Sequence, residues 1–157
     1  MDITTLAAWG EFLGGIAVVV SLIYLASQIR QNSQMLRTSA ASTTAHLHTS
    51  QNIVLAQNAE TSRIFYAGCT NPESLAPEEQ DRFTSTLGLQ VQGMHQSFEF
   101  HENGIGTEAS WCFTDNGMRW FATQPGFLAW WAEGGFRFMP SFRDYVDGLI
   151  REGEAAG

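Results

Sequence analysis

Apolar residues follow more than one pattern along this chain, and each pattern predicts a different kind of helix. The first pattern is continuous. Between Glu11 and Arg30 lie 18 uncharged residues, FLGGIAVVVSLIYLASQI, and extension back to Leu6 gives 24 residues with Glu11 as the single charge. A helix rises about 1.5 Å per residue, so about 20 apolar residues cross a hydrocarbon core. The run has no polar face, which predicts a transmembrane helix within residues 1–29. A cleaved signal peptide needs a positively charged start. Residues 1–11 carry Asp2 and Glu11 with no Arg or Lys. The remaining alternative is a helix buried in the core of a soluble oligomer.

The second pattern is sparse. After Arg30 the sequence QNSQMLRTSAASTTAHLHTSQNIVLAQNAE is rich in Ser, Thr, Gln and Asn and holds no Pro or Gly. Larger apolar residues stand at Ile29, Leu36, Leu47 and Val54, with small ones at Ala40 and Thr43. Those steps of three and four predict one long helix leaving the span. Its polarity predicts a stalk over residues 30–58, solvated or packed through a narrow seam. A low-complexity linker is the alternative.

The third pattern is amphipathic. A helix is expected over about Glu60 to Gly68, with Ile64 and Phe65 inward, ended by Gly68 and a turn at Asn71-Pro72. Pro77 suits the first position of the next helix, and Glu78, Glu79 and Asp81 suit the positive end of its dipole. Phe83, Leu87, Val91, Met94 and Phe98 then recur at steps of 4, 4, 3 and 4, a core-facing stripe. The stop is expected near Gly104-Ile105-Gly106. Thr107 is a candidate cap for a helix holding Trp111 and Phe113, which Asp115-Asn116-Gly117 is expected to break or bend. Pro125 opens a short helix with Phe127, Trp130 and Trp131, closed by Gly134-Gly135. Pro140 opens the last, with Phe142, Tyr145, Val146, Leu149 and Ile150 inward. No run alternates with period two. The fold class expected is all-α: an N-terminal transmembrane helix continuing into a long polar helix, then a small helical bundle over residues 59–157.

Composition narrows the function classes. Charged residues make up 15%, against about 25% in ordinary domains. The net charge is −8, and all eight basic residues are arginine. An acidic chain with no basic cluster is a poor binder of phosphate backbones, so no nucleic-acid partner is expected. Two cysteines, Cys69 and Cys112, make neither a disulfide framework nor a zinc knuckle. The charge is also uneven: 14 of the 16 acidic residues follow Arg30. Arg30 and Arg37 flank the span on one side and acids on the other. Positive residues stay cytoplasmic, which sets the N-terminus outside and residues 30–157 inside. Trp9 and Tyr24 stand where interfacial anchors belong, and Trp130 or Trp131 is a further candidate, since adjacent helix positions do not both face one core.

Along the span Gly10, Gly14, Ala17 and Ser21 recur at i, i+4, i+7 and i+11, on one side of a helix. In lipid, small residues let helix backbones approach closely, so this stripe is a candidate packing face for self-association or for a larger membrane complex. Enzymatic chemistry finds little footing. His46-x-His48 points to two sides of a helix, and His95 with Glu99 shares a face but lacks a third ligand. Gly104-x-Gly106 lacks the third glycine of a dinucleotide loop, and no nucleophile elbow or P-loop is present. No catalytic residue, metal or cofactor is expected.

Several short motifs carry a resemblance. Glu11-Phe12 with Gly14-Gly15 precedes the apolar run, and Ile29-Arg30-Gln31-Asn32 leaves it. Leu75-Ala76-Pro77-Glu78-Glu79 opens a helix, followed by Arg82-Phe83. Pro125-Gly126-Phe127, Trp130-Trp131 and Phe138-Met139-Pro140-Ser141-Phe142 complete the set. In this order they resemble a family of short bacterial membrane proteins built on a domain of unknown function. The resemblance spans nearly the whole chain and implies one N-terminal span and a helical C-terminal domain in a bacterial membrane protein, with no activity attached. Ala76 and Met139 stand before helix-opening prolines where Ser or Thr would cap, which is expected to weaken those starts by about 0.5–2 kcal/mol each.

The function expected is therefore non-enzymatic: a single-pass inner-membrane structural or accessory protein that assembles through its span, as a homo-oligomer or within a larger membrane complex. The alternatives are a small homo-oligomeric pore, lined by Ser21, Gln28 and Asn32, and a soluble helical protein with its first helix in an oligomer core.

Overall fold

The computed structural model describes residues 2–156, without the side chains of residues 3–8, 47, 48, 51 and 156. Among the described residues the fold is all helical. The order is α1 (Ile3–Gln57), α2 (Ala59–Thr70), α3 (Pro77–Glu102), α4 (Glu108–Phe121), α5 (Pro125–Gly134) and α6 (Pro140–Ala156), with 3-10 turns at Pro72–Ser74 and Gly135–Arg137. The chain forms two compact units, residues 1–38 and 39–157.

In the first unit every side chain described from Trp9 onward is exposed. The helix there is held by its own backbone hydrogen bonds, reinforced where hydroxyls fold back: Ser21 Oγ donates to the Ala17 carbonyl at 2.7 Å and Thr38 Oγ1 to the Gln34 carbonyl at 3.0 Å.

The second unit begins inside the segment read as a stalk. Ala40, Thr44 and Leu55 are buried, while Leu36 and Val54 are more than half exposed and Thr43 is exposed. The expected positions are thus corrected in part: Ala40 is buried as one of them, Leu36, Thr43 and Val54 are not, and the buried line runs through Ala40, Thr44 and Leu55. Two of its members are small, so burial there rests on close approach rather than on bulk. The side chain of Leu47 lies outside the described residues.

Local rules account for most helix ends. Asn58 caps α2, its Oδ1 accepting from the Thr61 N–H at 2.9 Å. Thr107 caps α4 by accepting from the Ser110 N–H at 3.2 Å. Pro77, Pro125 and Pro140 each open their helix. Ala76 has no side-chain acceptor, yet half of a capping pair survives, because its N–H donates to Glu79 Oε2 at 3.1 Å. Gly104 takes φ +65°, a left-handed turn after α3 that glycine enters freely, and the N–H groups of Ile105 and Gly106 return to the Phe100 carbonyl.

Two expected breaks are absent. Gly68 does not end α2, which runs on to Thr70. Gly68 instead packs against the Phe83 ring, and Gly126 of α5 lies against its carbonyl. Nor do Asp115, Asn116 and Gly117 interrupt α4. Asp115 bonds forward to Arg119 one turn on, and Gly117 sits under the Met94 methyl, so both are engaged in packing a continuous helix.

The core of the second unit gathers the α3 stripe as expected. Phe83, Leu87, Val91, Met94 and Phe98 are all buried, Leu87 and Val91 completely. They meet Ile64, Phe65 and Cys69 of α2, Met118 and Phe121 of α4, Phe127 and Trp131 of α5, and Phe142, Val146 and Leu149 of α6. Burying each such side chain contributes about 1.5–3 kcal/mol. Aromatic rings stack through the core, with Phe127 on Trp131 at 5.7 Å and Trp131 on Phe138 at 5.4 Å.

Candidate functional site

The site with the plainest physical signature is the apolar half of α1. Within Trp9–His46 an 18-residue window reaches a mean hydropathy of 2.0, and none of it is buried. Leu13, Val20 and Ile23 are 59–65% exposed. Scattered apolar residues on a surface are ordinary, but a continuous apolar cylinder is not. Among the described residues this is the one helix long and apolar enough to cross a membrane.

Its few polar groups are turned inward on the helix. The Ser21 hydroxyl is spent on the Ala17 carbonyl and that of Ser27 on the Tyr24 carbonyl, both at 2.7 Å. The Gln28 amide donates to the Tyr24 hydroxyl at 2.7 Å. A helix whose backbone and side-chain polar groups bond internally is one of the few forms hydrocarbon accepts.

Gly10, Gly14, Ala17 and Ser21 are all exposed, and a Cβ built on Gly10 or Gly14 would meet nothing within 4 Å. The stripe is therefore an open shallow face. Trp9 lies edge-on to Phe12 at 6.3 Å, and Tyr24 is exposed. Arg30 and Arg37 are exposed and have no ion-pair partner among the described residues.

The remaining candidates fall in the second unit. Neither tryptophan of the adjacent pair is exposed, which corrects their reading as anchors. Trp131 is buried and its indole N–H donates to Asp147 Oδ1 at 2.8 Å. Trp130 is half-buried against Phe127 and Phe138. Two neighbours on a short helix are both covered because the Gly135–Arg137 turn brings Phe138 back over them. The large exposed apolar groups of this unit are others, Leu89, Phe113 and Phe136 among them.

Cys69 is buried, and burial pushes its thiol up to about 12, so it stays protonated. Cys112 is exposed, with the Asn116 amide 3.6 Å from its sulfur. His46 is exposed, and the His48 side chain lies outside the described residues. The His95 ring packs between Phe142 at 4.8 Å and Phe138 at 5.4 Å. Burial lowers its pKa below the ordinary value, against the pull of Glu99, and its Nε2 has no hydrogen-bond partner among the described residues. No group of three or more His, Cys, Asp or Glu converges among the described residues.

A polar network that sequence reasoning missed ties α4 to α6. Tyr145 donates its hydroxyl to Asp115 Oδ1 at 2.8 Å, and Arg119 bridges Asp115 Oδ2 and Glu152 Oε2, each at 2.8 Å. Burial raises the Asp115 carboxyl, but the bonds from Arg119 and Tyr145 outweigh it and hold the group below its usual range. The i, i+4 spacing of Asp115 and Arg119 was the signal available. Its position against Tyr145 and Glu152 was not.

Comparison with protein-family models, curated proteins and solved structures found no match.

Proposed function

We propose that this chain is a single-pass protein of the bacterial inner membrane, non-enzymatic, with the apolar half of α1 in lipid and residues 39–157 as a cytoplasmic helical domain. The observation that carries the reading is the exposure of the apolar run from Trp9 to Ile29, where every described residue is exposed. In water each large apolar side chain left exposed forgoes part of the 1.5–3 kcal/mol that burial would supply, roughly, and lipid removes that penalty. Arg30 and Arg37 support the orientation, since they are cations just past one end of the run with no ion-pair partner among the described residues. The stripe of Gly10, Gly14, Ala17 and Ser21 supports assembly of the protein through its span, with copies of itself or with a larger membrane complex. The internal bonding of Ser21 and Gln28 favours a lipid-facing or helix-facing role over a water-filled pore.

Cys112 is a native probe for this reading, because it is exposed while Cys69 is buried and protonated. Membranes carrying the full chain are washed with alkaline carbonate, then labelled with a membrane-impermeant maleimide. The protein is expected to resist the wash and to label at Cys112 in inside-out vesicles only. Release by the wash overturns the membrane span. Labelling in right-side-out vesicles overturns the orientation. Gly14→Leu is expected to lower the mass of the detergent-solubilised assembly, and an unchanged mass overturns packing through the stripe.

A further inference from the structure

A cleft of about 450 Å³ opens in the second unit, between α3 and the stretch from α5 to the start of α6. Its size falls within the range of small-molecule sites. One wall is the aromatic pair Trp130 and Phe138, whose ring centroids lie 6.2 Å apart, with the His95 ring edge-on to Phe138. Ser85, Gln92 and Arg137 are polar members of the lining, and among the described lining residues Arg137 alone carries a formal charge. Arg137 has no ion-pair partner among the described residues, and its guanidinium rests over the Phe136 ring at 5.6 Å. Among the described residues no carboxylate lines the cleft, although acids outnumber arginines two to one in the chain.

Two glycines keep the space open without being needed for packing. Gly88 stands inside α3, where glycine costs about 0.8–1.0 kcal/mol relative to alanine. A Cβ there would make only ordinary contact with Trp130, at 3.7 Å, and a Cβ on Gly134 would meet nothing within 4 Å. Neither has a positive φ. Both line the cleft, so a larger side chain at either position would occupy it.

We propose that this cleft binds a small aromatic carboxylate, its ring against Trp130 and Phe138 and its carboxylate on Arg137. The shape and the charge select that class together. Two aromatic rings inclined at 58° offer a ring both stacked and edge contacts, and a planar guanidinium without an acid partner among the described residues favours a carboxylate.

The test uses the full chain in nanodiscs, with 2-naphthoate as probe and equilibrium dialysis against empty nanodiscs to subtract partitioning into lipid. Saturable binding at one probe per chain is expected. Gly88→Leu, which improves helix propensity while filling the cleft, is expected to weaken it at least about tenfold, and Arg137→Gln about tenfold as well. Near-ultraviolet circular dichroism checks that each variant keeps its aromatic packing. Neutral 2-naphthamide is expected to bind about tenfold more weakly than the acid. Absence of saturable binding overturns the site. Binding that survives both substitutions in folded protein overturns its location, and equal binding of the amide overturns the role of Arg137.

Discussion

Residues 12–29 of α1 and the helix α3 are both long and both carry many bulky apolar residues, yet they are built for different surroundings. In α3 most bulky apolar residues keep to one stripe, whose five members from Phe83 to Phe98 are at most 6% exposed, with Leu89 outside it at 61%. The intervening positions are largely polar, with Thr84, Ser85, Thr86, Gln92 and Gln96 among them. In α1 the apolar residues occupy every side, and Val18, Val19 and Val20 in succession are 55–60% exposed. One helix divides its surface between a core and water. The other has no surface suited to water at all. Hydrophobicity alone does not separate them; its angular distribution does.

The largest break in that comparison comes from a charge at the middle of the run. Val20→Arg is expected to oppose insertion by about 2.5–3.5 kcal/mol, roughly a hundredfold in partitioning. The carbonate-resistant fraction should collapse, while the near-ultraviolet signal of the second unit stays as in the parent. Retention of the variant in washed membranes would sink the span. Truncation reads the comparison from the other side. Leu87→Ala, at a fully buried position, should cost the second unit about 2–5 kcal/mol. Leu22→Ala, 59% exposed, should leave the same melting transition within about 0.5 kcal/mol. Equal shifts for the two would mean that the apolar half of α1 is packed by protein after all.

How much of this was legible beforehand follows the range of the physics. The all-helical class, the α3 stripe, the cap at Thr107 and the starts at Pro77, Pro125 and Pro140 depend on residues within a turn or two of each other, and the chain shows them directly. Of the buried line through Ala40, Thr44 and Leu55 only Ala40 was legible, because small residues give a weak periodic signal and the bulkier Leu36 and Val54 stand at a different phase. The Trp130–Trp131 pair was misread for a related reason, since neither is exposed. That neighbouring helix positions diverge is true locally, but Phe138 returns over both indoles and Asp147 supplies a partner for one. At the candidate site itself, the apolar run, its small-residue stripe and its flanking arginines were all visible. The inward bonding of Ser21 and Gln28 required the folded helix.

Glycine sharpens the contrast further, because the two regions use it for different ends. At Gly126 a Cβ would stand 2.8 Å from the Gly68 carbonyl carbon and 3.1 Å from the Phe83 ring. Gly126→Ala must therefore push α2 and α5 apart, at about 1–3 kcal/mol. A Cβ on Gly14 meets open space, so Gly14→Ala should leave the second unit's melting midpoint unchanged. If Gly126→Ala were equally silent, the close crossing of α2 and α5 would not be contributing to stability.

The smallest expected effect tests the α3 side of the comparison alone. His95 lies on the margin of the stripe, between Phe138 and Phe142, where burial favours the neutral ring and lowers its pKa below the ordinary 6.5. The unfolded chain has no such environment. As pH falls through about 6.5, the unfolded state therefore takes up a proton that the folded state resists, and stability drops. The drop ends once pH passes the lowered native value. Its slope is bounded by one proton, at most about 1.4 kcal/mol per pH unit. Asp115 acts in a separate window, because its carboxyl is held below 3.8 and its contribution is lost only as pH falls past that value. Urea midpoints of the second unit at about pH 7 and about pH 5.5 isolate the histidine. The parent should weaken between them, and His95→Phe, which keeps a ring against Phe138 and Phe142, should not. The same loss in both proteins would place the proton uptake elsewhere and leave His95 an ordinary member of the aromatic cluster.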